Sequence, residues 1–265
     1  MGQVFLRTNW PVQKVADMLR NWKVHRVIEI GPGNGILTKA LLSAGIKVTA
    51  VEKDSRFAEK LEEFKKNHNE PNISNLEICC EDILKFDIES WLSRYKEPLA
   101  IVGNIPYNIS SPIIMWLLPH IRKIVGAGLM VQLEFGSRLA SPCDSKSYGS
   151  LSVYTQLRSV VMLECKVDRT CFQPVPSVDS AIISIRPRPK EFPEALLEKV
   201  ELITRAAFNQ RRKKLRNATS HFLKDSLADA CPIDLNRRPD SIRPEEYVEL
   251  AKYIFPDWDK QKPSK

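Results

Sequence analysis

Five short apolar segments occupy the first half of this 265-residue chain, and each ends at a glycine or a polar residue. They cover residues 26–30, 47–51, 76–80, 99–102 and 129–133. Stretches with apolar residues at helical spacing separate most of them, over residues 10–22, 36–42, 54–66 and 112–125. Strands that alternate with helices in this way predict a parallel sheet with right-handed crossovers. The fold class that follows is α/β.

The pattern changes after Phe135. The polar residues 137–150 predict a loop. Two further strands are predicted at 160–163 and 181–185, and we expect the last to run antiparallel because no helix is predicted between them.

The segment Arg186-Pro-Arg-Pro-Lys190 has the composition of a linker. Beyond it the apolar spacing predicts helices alone. They cover residues 194–216, 222–228 and 245–255. We therefore expect a first domain of residues 1–188 that contains the sheet and a small all-α C-terminal domain of residues 189–265.

The composition excludes few classes of protein but favours some. The net charge of +8 is typical of a protein that binds a polyanionic partner, although many basic proteins bind no nucleic acid. The six cysteines include no C-x-x-C spacing, so we expect reduced thiols and no metal site. No apolar run reaches the roughly 18 residues of a membrane span. We expect a soluble, cytoplasmic protein, and nothing indicates more than a monomer.

A glycine loop, Glu29-Ile-Gly-Pro-Gly-Asn-Gly35, lies between the first strand and a helix. Glycines let the backbone approach a ligand closely. Glu52, at the end of the second strand, is placed to accept hydrogen bonds from ribose hydroxyls, and Asp82, after the third, from an adenine amine. The Gly-x-Gly-x-Gly spacing and Pro32, which has no N–H for a pyrophosphate, favour a nucleoside cofactor without phosphates, of which S-adenosyl-L-methionine is the common one. Either carboxylate alone could be an ordinary loop residue.

The segment Gly103-Asn-Ile-Pro-Tyr107 follows the fourth strand. An amide oxygen and a main-chain carbonyl can together accept both hydrogens of an exocyclic amine, and an aromatic ring can stack on the base. Asn104, the carbonyl of Ile105 and the ring of Tyr107 are therefore candidates to hold a nucleobase amine, in a loop that Pro106 stiffens. The alternative is a turn that ends the strand, with Tyr107 packed on the core.

Further motifs share the order and intervals of one known family, and they span nearly the whole chain. They are GQVFL at 2–6, EIGPG at 29–33, Glu52, ED at 81–82, NIPYNIS at 104–110, YGSLSV at 148–153, FQPVPSVDS at 172–180 and FNQRRKKLRN at 208–217. Together they resemble the ribosomal RNA adenine N6-dimethyltransferases of the KsgA type. The resemblance implies a Rossmann-like class I methyltransferase with a seven-stranded, mostly parallel sheet and S-adenosyl-L-methionine as methyl donor. Its implied substrate is two adjacent adenines in a hairpin near the 3′ end of small-subunit rRNA, within an immature 30S-type subunit.

The resemblance also assigns residues to roles. The residues implied at the cofactor are Gln3, Val4, Leu6, Gly31, Gly33, Glu52, Lys53, Asp82, Ile83 and Asn104. Asn104, Ile105, Pro106 and Tyr107 are implied to hold the target base, and Phe172 to close on its other face, although plain core packing is the alternative for Phe172. The family usually has a polar residue, often Asn, where this chain has Val4.

No acidic residue occurs between Leu202 and Lys224, although the segment contains seven basic residues. A solvated helix face normally alternates in sign. The candidates for phosphate contact are Arg205, Arg211, Arg212, Lys213, Lys214, Arg216 and Lys224, with Arg138, Lys146 and Arg158 as an extension. A solvated charged face remains the alternative for this segment taken alone.

Three other functions compete with adenine dimethylation of small-subunit rRNA. A related large-subunit methyltransferase that confers macrolide resistance is disfavoured by the segments 148–153 and 208–217, which resemble the small-subunit type. An RNA-binding assembly or transcription factor with the same fold is disfavoured by the intact Asn104, Tyr107 and carboxylates. A nicotinamide dehydrogenase is disfavoured by Pro32.

Overall fold

The computed structural model of the chain describes residues 4–67, 72–223 and 230–259. Its contacts divide the chain into two units. The first consists of residues 1–136 and 161–187, and the second of residues 137–160 and 188–265. Within the described ranges, no helix is both long and apolar enough to cross a membrane.

The strands form one large sheet and one small one. They are β1 (Phe5–Leu6), β2 (Arg26–Ile30), β3 (Lys47–Glu52), β4 (Leu76–Cys80), β5 (Leu99–Asn104), β6 (Gly126–Gln132), β7 (Ser159–Val167), β8 (Phe172–Gln173) and β9 (Ser180–Pro187). The large sheet has seven strands in the order β4-β3-β2-β5-β6-β9-β7, and β1 pairs with β8 in a separate two-stranded sheet.

Strand β2 lies inside the large sheet, between β3 and β5. Its Ile30 pairs with Val51 of β3 on one side and with Gly103 of β5 on the other. The strands from β4 to β6 are parallel, and β9 runs antiparallel to β6. The carboxyl ends of β2, β3 and β5 therefore meet at one edge, where the strand order reverses and where open α/β sheets bind their ligands. The predicted α/β fold with a seven-stranded, mostly parallel sheet is confirmed.

One helix precedes the parallel strands of the first unit, and the others connect them. They are α1 (Trp10–Asn21), α2 (Ile36–Ser43), α3 (Ser55–Asn67), α4 (Ile88–Ser93) and α5 (Ser110–Leu117). Helix α1 buries Val12, Val15 and Leu19, the apolar face that its spacing predicts. Helix α5 is shorter than predicted, because the chain continues from Leu118 to Lys123 as a 3₁₀ helix with Pro119 in its first turn.

Gly103 allows β2 and β5 to approach closely beside the ligand-binding edge. A Cβ atom at this position would lie 2.6 Å from the carbonyl oxygen of Ile30 and 3.0 Å from its Cβ. Any side chain here would push the two central strands apart, so the glycine is required by packing and not by its backbone angles.

The second unit is helical. It contains α7 (Ser150–Arg158), α8 (Glu194–Asn209), α9 (Leu215–Ala218) and α10 (Pro244–Ile254), and α6 (Leu133–Ala140) runs into it from the first unit. Its core includes Tyr148 and Tyr247, both fully buried. The Tyr148 hydroxyl donates to the carbonyl of Ile242 at 2.9 Å, and the Tyr247 hydroxyl donates to that of Pro239 at 2.8 Å, so neither buried hydroxyl is unpaired.

The division into units differs from the predicted domains in one segment. The last residue of the first unit is Pro187, one residue before the predicted end of the first domain at 188. Residues 137–160, however, belong with the helical unit. Part of the predicted loop 137–150 is helical, since α6 extends to Ala140 and buries Phe135 and Leu139 one helical turn apart.

The long helix predicted over 194–216 is also broken. Helix α8 ends at Asn209, and α9 begins at Leu215 after a turn. Residues 210–214 separate them, and the like charges of Arg211 and Lys214, three residues apart, disfavour a helical turn there. The predicted helix over 222–228 falls largely outside the described residues.

Candidate active site

A cavity of about 680 Å³ opens at the carboxyl ends of β2, β3 and β5. Segments far apart in the sequence line it. They are residues 4–6, 29, 31–34, 36–37, 52–54, 56 and 104–109. The structure thus brings together the glycine loop, Glu52 and the Asn104 segment, as the strand order predicted. A volume of this size is typical of a pocket for a small organic ligand.

The glycine loop and Glu52 form one wall of the cavity. Gly31 and Gly33 have φ angles of +61° and +54°, in the left-handed region that favours glycine. The main-chain N–H of Gly33 donates to Oε2 of Glu52 at 3.0 Å, and that of Asp54 donates to Oε1 at 3.0 Å. These two donors fix the orientation of the buried carboxylate. Each of its oxygens can accept a further hydrogen bond, as two ribose hydroxyls require.

Asn104 ends β5 and faces the glycine loop across the cavity. Its Nδ2 donates to the main-chain carbonyl of Val4 at 3.3 Å. Its Oδ1 is buried and has no hydrogen-bond partner among the described residues. A buried acceptor without a partner is unusual in a folded protein, and a ligand that donates to Oδ1 would satisfy it. Because Val4 contributes its main chain, the departure from the family at this side chain does not affect the contact.

The residues after Asn104 hold the loop in place. The N–H of Ile105 donates to the carbonyl of Met130 at 3.1 Å, and the Tyr107 hydroxyl shares a hydrogen bond with Oγ of Ser180 at 2.7 Å. Burial raises the pKa of Tyr107, so the phenol stays neutral at physiological pH. The ring lines the cavity and is fixed at its hydroxyl end, while Pro106 begins the turn.

Asp82 forms an ion pair with Lys53, which is a residue of the cavity wall. The Nζ of Lys53 lies 2.8 Å from Oδ2 of Asp82, and the N–H of Leu84 donates to Oδ1 at 3.1 Å. The hydrogen bond from Lys53 lowers the pKa of Asp82, which is therefore ionised. Lys53 lines the cavity, whereas Asp82 and the buried Ile83 are not among its lining residues. An adenine amine that reached Asp82 would share that carboxylate with Lys53.

The position of Phe172 differs from the one implied by the resemblance. Its side chain is 0% exposed and belongs to the hydrophobic core of the first unit, together with Leu6 and Val167. The pairing of β1 with β8, in which Leu6 is opposite Phe172, turns this residue inward. The ring is not among the residues that line the cavity, and its place in the core is the packing role that the sequence left open as the alternative.

Three residues of the N-terminal segment, Val4, Phe5 and Leu6, also line the cavity. The Phe5 ring packs on Phe57 with 5.4 Å between centroids. A Cβ on Gly33 would lie 2.9 Å from this ring, so glycine allows Phe5 to cover the loop. Gln3, which is expected to help close the pocket, lies outside the described residues.

Glu29 is a residue of the cavity wall that the sequence motifs did not single out as a ligand contact. Its carboxyl is 1% exposed, and Oε2 accepts a hydrogen bond from the Thr38 hydroxyl at 2.7 Å. Desolvation by burial raises the pKa of Glu29 to about 8, and the nearby Glu52 adds to the shift. The signal was present in the sequence, since a glutamate in a run of apolar strand residues is buried with its strand.

The basic candidates fall into two groups. Arg212, Lys213, Lys214 and Lys146 are exposed, and Lys214 also donates to Oδ1 of Asn236 at 3.3 Å. Arg138 and Arg216 have interactions within the protein. Lys224 lies outside the described residues. The turn between α8 and α9 therefore presents the most accessible positive charge of the predicted set.

Three of the arginines have partners within the helical unit. Arg205 pairs with Glu201 at 2.6 Å, and Arg211 donates to the carbonyl of Ser145 at 2.9 Å. Arg158 is buried, ion-paired with Glu194 and stacked on the Tyr154 ring, so it does not extend a phosphate-binding surface. A long cationic side chain favours a surface position, but its aliphatic stem and planar head also suit a buried pair.

No cluster of three metal-binding side chains occurs in the part of the chain that the structure describes. The cavity instead offers main-chain N–H groups, oriented carboxylates and an unpaired amide oxygen. This donor and acceptor set fits an uncharged nucleoside moiety and a purine amine.

Comparisons with known proteins agree with this chemistry. The family model for ribosomal RNA adenine dimethylase matches residues 1–255. The ribosomal RNA small subunit methyltransferase A of Francisella tularensis subsp. novicida is 36% identical over 256 residues, which is 96% of each chain. That of Colwellia psychrerythraea is 35% identical and covers 96% of this chain and 82% of its own.

Two solved structures share the fold over nearly the whole chain. The 23S rRNA methyltransferase ErmE has a TM-score of 0.69 and 28% identity, and covers 94% of this chain and 99% of its own. A dimethyladenosine transferase from Plasmodium falciparum has a TM-score of 0.73 and 23% identity, and covers 96% and 98%. With a family model that spans almost every residue, the chain belongs to the ribosomal RNA adenine dimethylases, which use S-adenosyl-L-methionine to methylate adenine in ribosomal RNA.

Proposed function

We propose that this protein dimethylates N6 of two adjacent adenines in the 3′-terminal hairpin of small-subunit rRNA, as a step in small-subunit biogenesis. The proposed substrate is an immature 30S-type subunit in the cytoplasm, and the enzyme acts as a monomer. The observation that supports the chemistry is the buried Oδ1 of Asn104, which has no partner among the described residues and shares a cavity with Glu52 and the glycine loop.

In this proposal the cofactor lies along the first wall of the cavity. Glu52 accepts from the ribose hydroxyls, and Gly31 and Gly33 give the methionine end room to pass close to the backbone. Asp82 and Ile83 take the adenine, with Lys53 at the rim. Val4, Leu6 and Gln3 close the pocket from the N-terminal segment.

The target base lies along the second wall. Asn104 Oδ1 and the Ile105 carbonyl accept the two N–H bonds of the adenine amine. This amine is a poor nucleophile, because its lone pair is delocalised into the ring, and two acceptors favour a more tetrahedral nitrogen. S-adenosyl-L-methionine supplies the methyl group from a sulfonium centre, and the sulfur is a good leaving group because it becomes a neutral thioether. Asn104 and Ile105 contribute positioning and electrostatic stabilisation, which can reach several kcal/mol.

No strong general base is needed for this reaction. The alkylated amine loses its proton readily to solvent. Tyr107, neutral and fixed by Ser180, offers one face for stacking, at roughly 1–3 kcal/mol per base, which offsets part of the cost of flipping the adenine out. A second transfer requires that Tyr107 hold the base while one methyl group is already present.

The proposed RNA contacts outside the cavity are electrostatic. Arg212, Lys213 and Lys214, together with Lys146, are exposed and can follow a phosphate backbone. Arg138, Arg205, Arg211 and Arg216 belong to the proposed surface as supporting residues, since each also has a partner inside the protein.

Methylation of purified ribosomal subunits tests the proposal. With tritiated S-adenosyl-L-methionine, we expect label in immature small subunits and none in large subunits. Mass spectrometry of rRNA from cells that lack the protein should then show two neighbouring adenines without their dimethyl groups. Label confined to large subunits would favour the resistance-type activity and contradict the proposal.

A further inference from the structure

Trp10 is the most exposed of the chain's five tryptophans, and the proposed reaction does not use it. Its side chain is 46% exposed, whereas Trp91 is buried and the other three are half-buried. It is not among the residues that line the cavity. A single exposed apolar residue is common on protein surfaces, so the position of Trp10 and the charges around it decide what it can bind.

Helix α1 places Trp10 at the ligand-binding edge of the large sheet. At the other end of the helix, the ring of Trp22 lies beside Gly126, the first residue of β6. Met18 fills the space that a side chain at Gly128 would take, so the helix runs antiparallel to β6. Trp10 lies eight residues before Met18, about 12 Å farther along the helix axis, which corresponds to about four residues of the strand. Trp10 is therefore level with the carboxyl end of β6, at the edge where the cavity opens.

The chain just before Trp10 forms part of the cavity wall. Phe5 and Leu6 line the cavity, and the next residue, Arg7, donates its main-chain N–H to the carbonyl of Cys171 at 2.9 Å. Four residues span at most about 14 Å, so Trp10 lies within that distance of Leu6 along the chain. About four stacked nucleotides cover the same distance. A nucleotide close to a base held in the cavity can therefore reach Trp10.

Positive charge accompanies the exposed ring. Lys14 lies one turn farther along α1 on the same side as Trp10, Arg7 precedes the helix, and both are exposed. No acidic residue occurs in the sequence before Asp17. Asp17 pairs with Arg20 at 2.8 Å, so it does not offset the two cations. An accessible aromatic face together with cations is the combination that binds single-stranded nucleic acid.

We propose that Trp10 is a stacking platform for an unpaired base of the substrate RNA, a few nucleotides from the target adenine, and that Arg7 and Lys14 contact the flanking phosphates. The inference rests on the proposed function, because it takes rRNA as the substrate that enters the cavity. Stacking and phosphate contacts give affinity and register without reading the base. Trp10 therefore acts in RNA binding and not in methyl transfer, and loss of the stacked base corresponds to about a tenfold loss of affinity.

Initial methylation rates on immature small subunits, with tritiated S-adenosyl-L-methionine, test the assignment. Trp10→Leu should raise KM for the subunits about tenfold at nearly unchanged kcat, whereas Trp10→Phe keeps an aromatic face and should stay close to wild type. Met162→Ala, which truncates an exposed side chain on β7, is the matched control. Thermal melts show whether each variant is folded. A wild-type KM in a folded Trp10→Leu variant overturns the proposal.

Tryptophan fluorescence provides a readout that a structural role of the ring would not change, because a base stacked on an indole quenches its emission. The probe is a synthetic RNA hairpin with two adjacent adenines in its loop, titrated into the full-length protein at low salt. We expect quenching in wild type and in Trp22→Phe, which alters the far end of α1, and none in Trp10→Phe. Quenching that persists in Trp10→Phe overturns the inference, and this variant is expected to bind the hairpin normally.

Charge reversal at the two ends of α1 tests the phosphate contact. Lys14→Glu should weaken hairpin binding and reduce its salt dependence, whereas Lys23→Glu makes the same charge change beyond the other end of the helix and should have little effect. Equal effects would contradict the contact. Methylation of small subunits by wild type and by all Trp10 variants with the same KM overturns the inference and leaves the proposed function intact. Absence of methylation by wild type would contradict the proposed function itself.

Discussion

The side-chain amide of Asn104 donates to the main-chain carbonyl of Val4, 100 residues earlier in the chain, at 3.3 Å. Because Nδ2 is committed to this bond, Oδ1 is left as the acceptor, buried and without a partner among the described residues. The N-terminal segment thus sets the orientation of the amide on which the proposed chemistry depends.

Asn104→Ala should abolish methyl transfer while cofactor binding remains nearly intact. The substitution removes the acceptor for the adenine amine but leaves Glu52 and the glycine loop unchanged. Incorporation of tritium from labelled cofactor measures transfer, and calorimetry measures binding. Asn21→Ala, on an exposed asparagine at the end of α1, is the matched control. Near-normal methylation by the Asn104 variant would remove this residue from the mechanism.

Phe172 is expected to act through packing. Phe172→Ala should destabilise the protein by roughly 3–5 kcal/mol, as truncation of a buried aromatic does, whereas Phe172→Leu should lose much less. If the ring only packs, the leucine variant keeps most of its methylation rate. Thermal melts and initial rates of both variants check this. A stable leucine variant without activity would instead mean that the ring leaves the core to meet the base.

The turn between α8 and α9 should carry a measurable share of RNA affinity. Lys213→Glu is expected to weaken binding of small-subunit rRNA and to reduce the slope of log K against log salt by at least about 0.7–0.9, since one phosphate contact is lost and a like charge is added. Fluorescence anisotropy over a range of salt concentrations provides both numbers. Lys66→Glu makes the same charge change on the exposed face of α3 and should leave the slope nearly as in wild type. Equal effects of the two substitutions would indicate that RNA is attracted by the net charge of the protein and not by a defined binding surface at this turn.

The buried Glu29 should make stability fall as pH rises in the cofactor-free protein. Burial raises its pKa from the ordinary value of 4.5 to about 8, so the folded state binds the proton more tightly than the unfolded chain does. Stability from this group is therefore complete below pH 4.5 and is lost progressively up to pH 8. Glu29→Gln should be more stable than wild type by a few kcal/mol at about pH 8.5 and similar to it at about pH 5, as judged by denaturant melts. Parallel pH profiles for the two proteins would contradict the expectation.

The sheet and its ligand edge were predictable because their signals are local. Strands β2 to β6 are apolar runs that end at glycine or at polar residues, and alternation with helices specifies their parallel order. Once the order is known, Glu52 and Asn104 must lie near the glycine loop. This is a consequence of topology and needs no knowledge of side-chain contacts.

What could not be predicted depends on pairing between distant residues. The two-residue strands β1 and β8 have no periodicity of their own, yet their pairing buries Phe172. Burial of Arg158 could not be foreseen, because its partner, Glu194, is 36 residues away. The short helix α7 contains β-branched and polar residues and is recognised by its first turn, where Oγ of Ser152 accepts from the N–H of Gly149.

The backbone conformation of the glycine loop limits how this pocket can vary. Gly31 and Gly33 adopt positive φ angles, and Phe5 already occupies the space of a side chain at Gly33. Any other residue at either position would be strained, so the pocket surface at this end consists of main-chain atoms that substitution cannot redesign. An inhibitor that takes its hydrogen bonds from these atoms would leave the enzyme few escape mutations, whereas one anchored on the side chain of a lining residue such as Lys53 or Asn108 could be evaded by a single codon change.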